Sequence, residues 1–327
     1  MNGLQRACLR SITLPALIFA GLVLATPAPA SAQARIEVAS FNIQFLGQSS
    51  RRDNAALVGL LEDYDVVFVQ EVIAPPYPGG FPDGTPFRPH PRVREFFDLM
   101  NAAGFAYVMS PEDTGPGARN RLNSTATEWF VAFYKPGRVE PATDLPWGFI
   151  ADDVTRNPDY DRVPFAFPFR AGSEDLVFIS VHLRPGAGPR HRERRAHEIA
   201  AIWTWIRSRS GGERDYVILG DMNIENCTEL EEVLPRNAES LNGTCEATNT
   251  NVRGPKPYDH VMFRTQFSEA EIPGAMVIVD LVESLRDSWQ GRGRYPGDPY
   301  NHNRFRAAYS DHDPIAFSVV VDGEDDD

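Results

Sequence analysis

Polar residues with chemical capacity stand at the ends of apolar runs in this chain of 327 residues. Ile36-Glu-Val-Ala-Ser-Phe-Asn42 places Asn42 in strand phase with Ile36 and Val38, although it is polar. Val66-Val-Phe-Val-Gln-Glu71 carries a carboxylate out of an apolar run, and Val177-Phe-Ile-Ser-Val-His182 does the same for an imidazole. Val217-Ile-Leu-Gly-Asp221-Met-Asn223, Tyr258-Asp259-His260 and Ser310-Asp311-His312-Asp313-Pro314 complete the set. Carboxylate and amide oxygens suit a hard divalent cation, and imidazoles move protons near neutral pH. Each segment alone is commonplace, since a polar residue often follows a buried strand.

The elements that would position these groups follow from periodicity. Strands are expected near 36–42, 66–70, 128–134, 176–183, 216–219, 261–263 and 314–321, and helices over 54–61, 93–103 and 194–207. In the last helix Ile199, Ile202, Trp203 and Ile206 share a face and form its core side. Residues 74–91 are rich in Pro and Gly and read as a long surface loop. No repeat is visible, and strands and helices alternate without a boundary, so one α/β domain is expected over 35–321, followed by an acidic tail over 322–327.

Residues 1–34 form a separate unit: Arg6 and Arg10 precede an apolar run from Ile12 to Ala25 and a small-residue site, with cleavage after Ala32 or Ala34. That is the pattern of a secretory signal peptide, the alternative being an uncleaved anchor. The run is shorter than the ~20 residues that span a bilayer. A secreted or periplasmic protein without stable membrane insertion is therefore expected. Cys8 would leave with the signal, and Cys227 and Cys245 would remain as a disulfide or as two buried thiols.

A formal net charge of −13 argues against a surface that grips polyanions everywhere, but leaves room for a local basic patch. Lys135 and Lys256 are the only lysines; the other basic residues are arginines spread along the chain, in keeping with codon bias, so only clustered ones count. Other chemistries find no support: His197-Glu198 lacks the second histidine of a zinc protease motif, no Gly-x-Ser-x-Gly elbow occurs, Gly186-Ala-Gly188 lacks a dinucleotide-loop context, and there is no Walker loop.

Taken together, Ser40-Phe-Asn42, Gln70-Glu71, Ser180-Val-His182-Leu, Gly220-Asp221-Met-Asn223, Tyr258-Asp259-His260 and Ser310-Asp311-His312 resemble the endonuclease/exonuclease/phosphatase superfamily, and within it the deoxyribonuclease I group. The resemblance runs from Ser40 to Val321. It implies a four-layer α-β-β-α sandwich with two central, mostly antiparallel sheets, and a monomeric phosphodiesterase that needs Mg²⁺, with Mn²⁺ or Ca²⁺ as alternatives. DNA is the substrate it implies first; a phospholipid or inositol phosphate is the alternative at the same site, and a non-catalytic binding module the rival of another class.

The resemblance also implies roles. Glu71 is the main metal ligand, with Asn42 and Asp311 beside it. His312 is the base, held by Asp259, and His182 the acid, held by Glu128. Asp221 and Asn223 bind a metal or align the phosphate. Arg162, in Asp161-Arg-Val-Pro164, contacts a substrate phosphate, as do Arg119 and Asn120 in an element similar to the nucleases' Gly-Arg-Asn, here with an inserted alanine and without the expected tyrosine. Apart from the resemblance, the loop opening at Arg184 carries five arginines and one glutamate in twelve residues, and would either steer a polyanion or be the solvated start of a helix. Cys227 and Cys245 resemble the disulfide of the secreted nucleases. His260 reads as structural.

Overall fold

The computed structural model of the chain describes residues 34–116, 127–209, 214–291 and 293–321; the expected signal peptide, the acidic tail and the Arg119-Asn120 element lie outside them. β-Branched and aromatic runs form two sheets. In spatial order the first holds β12 (Val277–Ile278), β13 (Ile315–Val320), β1 (Arg35–Leu46), β2 (Val66–Val72), β4 (Trp129–Tyr134) and β3 (Ala106–Met109). The second holds β10 (Ala238–Ser240), β11 (Asp259–Arg264), β9 (Tyr216–Asp221), β8 (Glu174–His182), β7 (Phe165–Ala171) and β5 (Glu140–Pro141), with β6 (Gly148–Phe149) also pairing β7. Only β1 with β2 and β8 with β9 run parallel; the other neighbours are antiparallel.

Period-two alternation sorts side chains into layers. From β1, Ile36 and Val38 join Phe68, Phe130, Phe167, Phe178, Leu219 and Phe317 between the sheets. The opposite residues, Ala39, Phe41 and Ile43, meet α1 (Asn54–Leu61) and α2 (Pro91–Ala102) through Leu57, Phe96 and Phe97. On the far side, Val177, Ile179 and Ile218 pack against Ile199, Ile202 and Trp203 of α3 (Pro189–Arg207). The result is the four-layer sandwich. The short helices α4 (Cys227–Val233), α5 (Thr265–Ser268), α6 (Leu281–Ser284) and α7 (His302–Ala308) complete it.

Sequence periodicity missed β3, β7 and the short helices. β7 reads Phe165-Ala-Phe-Pro-Phe-Arg-Ala171, whose Pro168 argues against an interior strand; here it lies between β8 and the short β5 and β6. α3 begins at Pro189, earlier than its apolar face suggests, because Pro189 is a favourable first helical residue. Cys227 and Cys245 form a disulfide that ties the first turn of α4 to the loop after β10.

Candidate active site

The inner faces of the central strands change from apolar to polar toward one edge. Behind that edge lies a neutral polar layer: Gln70 Nε2 donates to Ser40 Oγ at 3.2 Å and to Ser180 Oγ at 3.0 Å, joining both sheets. A Cβ at residue 220 would meet Val181 O at 2.4 Å and Gln70 Nε2 at 3.2 Å, and its φ is +129°, so only glycine fits beneath Asp221. One step further along the strands come Asn42, Glu128, His182, Asp221 and Asp259, all buried. Register holds them level: His182 pairs with Asp221 across β8 and β9, and Asp259 with Asp221 across β11 and β9.

Glu71 arrives by bent backbone, and the chain also bends after Asp221 and after Asn42. The register of β2 shifts between Val69 and Val72, and Glu71 there takes a φ of 62°. Asn223 at 52° turns the chain after Asp221, and Gln44 and Phe45 near 50° turn it after Asn42. Left-handed conformations at non-glycine residues raise the local energy by roughly 1–3 kcal/mol each and gather at functional sites.

Asn42 Nδ2 donates to Glu71 Oε1 at 3.0 Å and Asp221 Oδ2 at 2.9 Å, while its Oδ1 accepts from Gln44 N–H at 3.0 Å. Phe45 N–H donates to Glu71 Oε2 at 2.9 Å. Both imidazoles are anchored through Nδ1: His182 to Glu128 Oε2 at 2.9 Å and His312 to Asp259 Oδ2 at 2.8 Å. Thr248 Oγ1 donates to the same Asp259 oxygen at 2.7 Å. The free Nε2 atoms converge, each 3.5 Å from Asp221 Oδ2, and that of His182 stands 3.9 Å from Glu71 Oε1.

Burial raises the Glu71 carboxyl above its ordinary value, and Glu128 and Asp311 add to this while His182 and the Asn42 bond oppose it. Burial and the Arg162 charge act to lower the His182 pKa, but Glu128 and Asp221 outweigh them and it stands above the ordinary 6.5. For His312, burial again acts downward, and the charges of Asp259 and Asp221 carry it well above 6.5. His260 behaves differently: burial holds it down to about 4, and its nitrogens meet Ser240 Oγ and Pro257 O, as a structural histidine requires.

Among the described residues, two groups have ligand atoms mutually within 4.8 Å: Glu71, His182 and Asp221, and Asp221, Asp259 and His312. The carboxylates of Glu71, Asp221 and Asp259 gathered here fit a cation, and the oxygen-rich donors favour a hard one. Asn42 presents its amide NH₂ to the carboxylates, so ligating a cation requires a half-turn that gives up the Gln44 bond. Asp311 belongs to neither group; its Oδ2 accepts from Gln44 Nε2 at 2.7 Å and lies 3.6 Å from Arg306 Nη1.

The arginines divide. Arg162 is buried with Nε 3.5 Å from Glu128 Oε1, and Nε and Nη1 have no hydrogen-bond partner among the described residues. Arg184 does not reach this centre through its contacts: Nη1 pairs with Asp161 Oδ2 at 2.8 Å and Nε meets His191 Nδ1 at 3.2 Å. In the five-arginine stretch expected to steer a polyanion, Arg190 is exposed while others are held by internal partners. Arg195 is 1 % exposed and clamps Glu229 at 2.6 and 3.1 Å, and Arg194 binds Asp161. Asn223, expected to contact metal or phosphate, has its N–H on Asp221 Oδ1 and its Nδ2 on Leu183 O.

Sequence reading overlooked Thr248, Gln44 and Arg52. Arg52 donates to the carbonyls of Ile43, Gln44 and Tyr309, fastening the turn after Asn42 to the segment entering Ser310-Asp311-His312. A bulky cation in a polar linker gives no periodic signal; only its burial reveals it.

The sequence matches no protein-family model and no curated protein. The fold does have solved counterparts. An endonuclease/exonuclease/phosphatase from Bacteroides vulgatus is 17% identical with a TM-score of 0.54, over 88% of this chain and 99% of that one. A functionally unknown conserved protein from Enterococcus faecalis is 14% identical at 0.55, over 87% and 99%. TDP2 from D. rerio, complexed with single strand DNA product, is 14% identical at 0.53, over 88% and 99%. The chain therefore has the endonuclease/exonuclease/phosphatase fold, of deoxyribonuclease I-like type. Each of these counterparts is matched over nearly its full length.

Proposed function

We propose that this chain is an exported, divalent-metal-dependent phosphodiesterase that cleaves DNA as an endonuclease, leaving 3′-hydroxyl and 5′-phosphate ends. The observation that carries the reading is the convergence of two carboxylate-anchored imidazoles on Asp221, beside the buried Glu71 carboxylate. Such a pair is what in-line hydrolysis needs, one group to take a proton and one to give it. The six segments that carry the family resemblance all meet at this one edge.

Glu71 and Asp221 would hold the cation, Mg²⁺ first, with Asn42 and Asp311 at its margin. Bound there, a cation polarises the phosphoryl oxygen and neutralises charge that builds on it. His312, held by Asp259, acts as base, its Nε2 taking the proton of the attacking water. His182 Nε2 gives a proton to the departing 3′-oxygen. Asp259 and Glu128 fix each tautomer with Nδ1–H bound, so Nε2 is the atom that exchanges. Arg162, with buried donors unspent among the described residues, supplies a cation for a non-bridging phosphate oxygen.

Export is supported by the leader pattern in the sequence and by the disulfide, and no helix among the described residues is long and apolar enough to cross a membrane. DNA as substrate is supported by the product held in the D. rerio TDP2 structure. The deciding experiment is a substrate panel on mature protein, with Mg²⁺ or chelator: supercoiled plasmid, single strands, RNA, sphingomyelin and inositol phosphates. Mg²⁺-dependent nicking of plasmid supports the reading; turnover of only the lipid or inositol substrates refutes it.

A further inference from the structure

Among the buried residues of α3, two carry charge, Arg195 and Glu198. Arg195 is matched by Glu229. Glu198 is not matched in that way: Arg194 Nε stands 3.8 Å from its Oε1, beyond hydrogen-bond length, and donates to Asp161 Oδ1 instead. What the Glu198 carboxylate binds is backbone. Oε1 accepts from Asp161 N–H at 2.7 Å and Oε2 from Arg184 N–H at 2.8 Å. Burial raises this carboxyl above its ordinary value, and the two N–H bonds oppose that. A buried carboxylate that spends each oxygen on a different loop is a costly way to join them, which directs attention to what the loops carry.

Asp161 precedes Arg162, and Arg184 lies two residues beyond His182. The side chains of Arg162 and His182 meet at a second buried carboxylate, Glu128, with Arg162 Nε 3.5 Å from Oε1 and His182 Nδ1 on Oε2. Two glutamates thus bridge the same pair of segments, Glu198 through their backbones and Glu128 through their side chains. The His182 segment is also held by its pairing with β9 and by Leu183 N–H on Asp221 O at 2.9 Å, so its place does not depend on Glu198. Arg162 lies in the loop between β6 and β7, where the Asp161 N–H bond to Glu198 is the tie next to it on one side and Val163 N–H on Thr114 Oγ1 the tie on the other. We propose that Glu198 is a positioning residue for phosphodiester hydrolysis: by fixing the Asp161 backbone from α3, it holds the Arg162 guanidinium at the spacing from His182 that contact with the scissile phosphate requires. This rests on the phosphodiesterase reading. Glu198 touches neither substrate nor metal and acts through Arg162.

The test is a double-mutant cycle on Mg²⁺-dependent hydrolysis of a DNA oligomer, with wild type, Glu198→Leu, Arg162→Gln and the double variant. Leucine keeps similar volume and removes both acceptors; Glu198→Gln, whose NH₂ must face one of the two donors, takes its place in the cycle if the leucine variant does not fold. Misplacing a contact group by about 1 Å can cost ~100-fold, so each single variant lowers kcat/KM by roughly 10–100-fold, and the double variant falls no further than Arg162→Gln alone. Losses that multiply in the double variant overturn the proposal, as does an unchanged kcat/KM in the Glu198 variant. A second readout, in EDTA, needs no turnover: the Nε–H resonance of Arg162 in ¹H–¹⁵N spectra, assigned by its loss in Arg162→Gln, shifts in the Glu198 variant while the ring resonances of His182 stay in place. An unmoved Arg162 resonance overturns the proposal, and so does a shift confined to His182. Failure to hydrolyse any phosphodiester defeats the catalytic reading alone, and the Arg162 resonance still judges what Glu198 holds.

Discussion

Replacing Glu71 with glutamine tests the metal site without relying on turnover. Glu71 accepts from Asn42 Nδ2 and Phe45 N–H, and is buried beside Glu128, His182 and Asp311. A glutamine can keep the Phe45 bond through its carbonyl oxygen, but its NH₂ then faces the Asn42 NH₂. If the Asn42 amide turns over, that contact is restored but the Gln44 and Asp221 bonds are given up, a net loss of two hydrogen bonds, about 2 kcal/mol. Against this, the substitution removes a buried anion whose charged form burial disfavours. The two effects oppose each other, so the metal-free melting midpoint should move little. The metal-linked response should change greatly. At Mg²⁺ a hundredfold above its Kd, linkage stabilises the wild-type protein by about 2.7 kcal/mol, which for a domain of this size raises Tm by roughly 4–5 °C. The assay is thermal unfolding in EDTA and across a Mg²⁺ titration, for wild type and Glu71→Gln. A Tm rise in wild type that disappears in the variant is expected. An equal rise in both proteins would refute the assignment of Glu71 as a metal ligand.

Substituting His312→Ala should lower plasmid cleavage by ~10²–10⁴-fold, the usual contribution of a general base, with the fold retained; wild-type rates from folded variant protein would sink the assignment. In EDTA, His312 has a folded pKa raised above 6.5, so its stabilisation is fully present below about pH 6.5 and lost as pH rises through the folded value. Asp259→Asn should flatten that decline in Tm, and a variant with the wild-type slope would contradict the ion-pair origin of the shift. Breaking the Arg195–Glu229 clamp with Arg195→Gln should destabilise by about 3–5 kcal/mol, whereas Arg190→Gln, at an exposed position, should leave the urea midpoint unchanged; equal effects would restore the stretch to a purely surface role. Reducing the disulfide, which closes a separation of 18 residues, should lower stability by roughly 3 kcal/mol, and an unaltered melting midpoint under reductant would show that the bridge contributes nothing.

Much of this protein was fixed locally. Alternating apolar residues specify β1, β2, β8 and β9 and the faces they bury, because a one-residue slip would turn Ile36 and Val38 out of the core. The same period marked Asn42 as a polar residue in phase with apolar ones, His182 and Asp221 stood out at the ends of apolar runs, and the order of the six segments pointed to their shared centre. What periodicity cannot carry is anything set by distant partners. Thr248 reaches Asp259 through a loop, Arg52 clamps carbonyls from Ile43 and Tyr309, and β7 tolerates Pro168 because only its neighbours decide which of its groups must pair. The arginines after His182 show the limit most clearly. Charge density along the chain is local, but whether Arg195 meets solvent or Glu229 depends on how α3 packs against α4, and burial converts a candidate substrate contact into an internal clamp. Sequence thus determined which groups face inward along each strand; tertiary packing alone decided which of them meet, because hydrogen-bond reach is a few ångströms in space and has no fixed length along the chain.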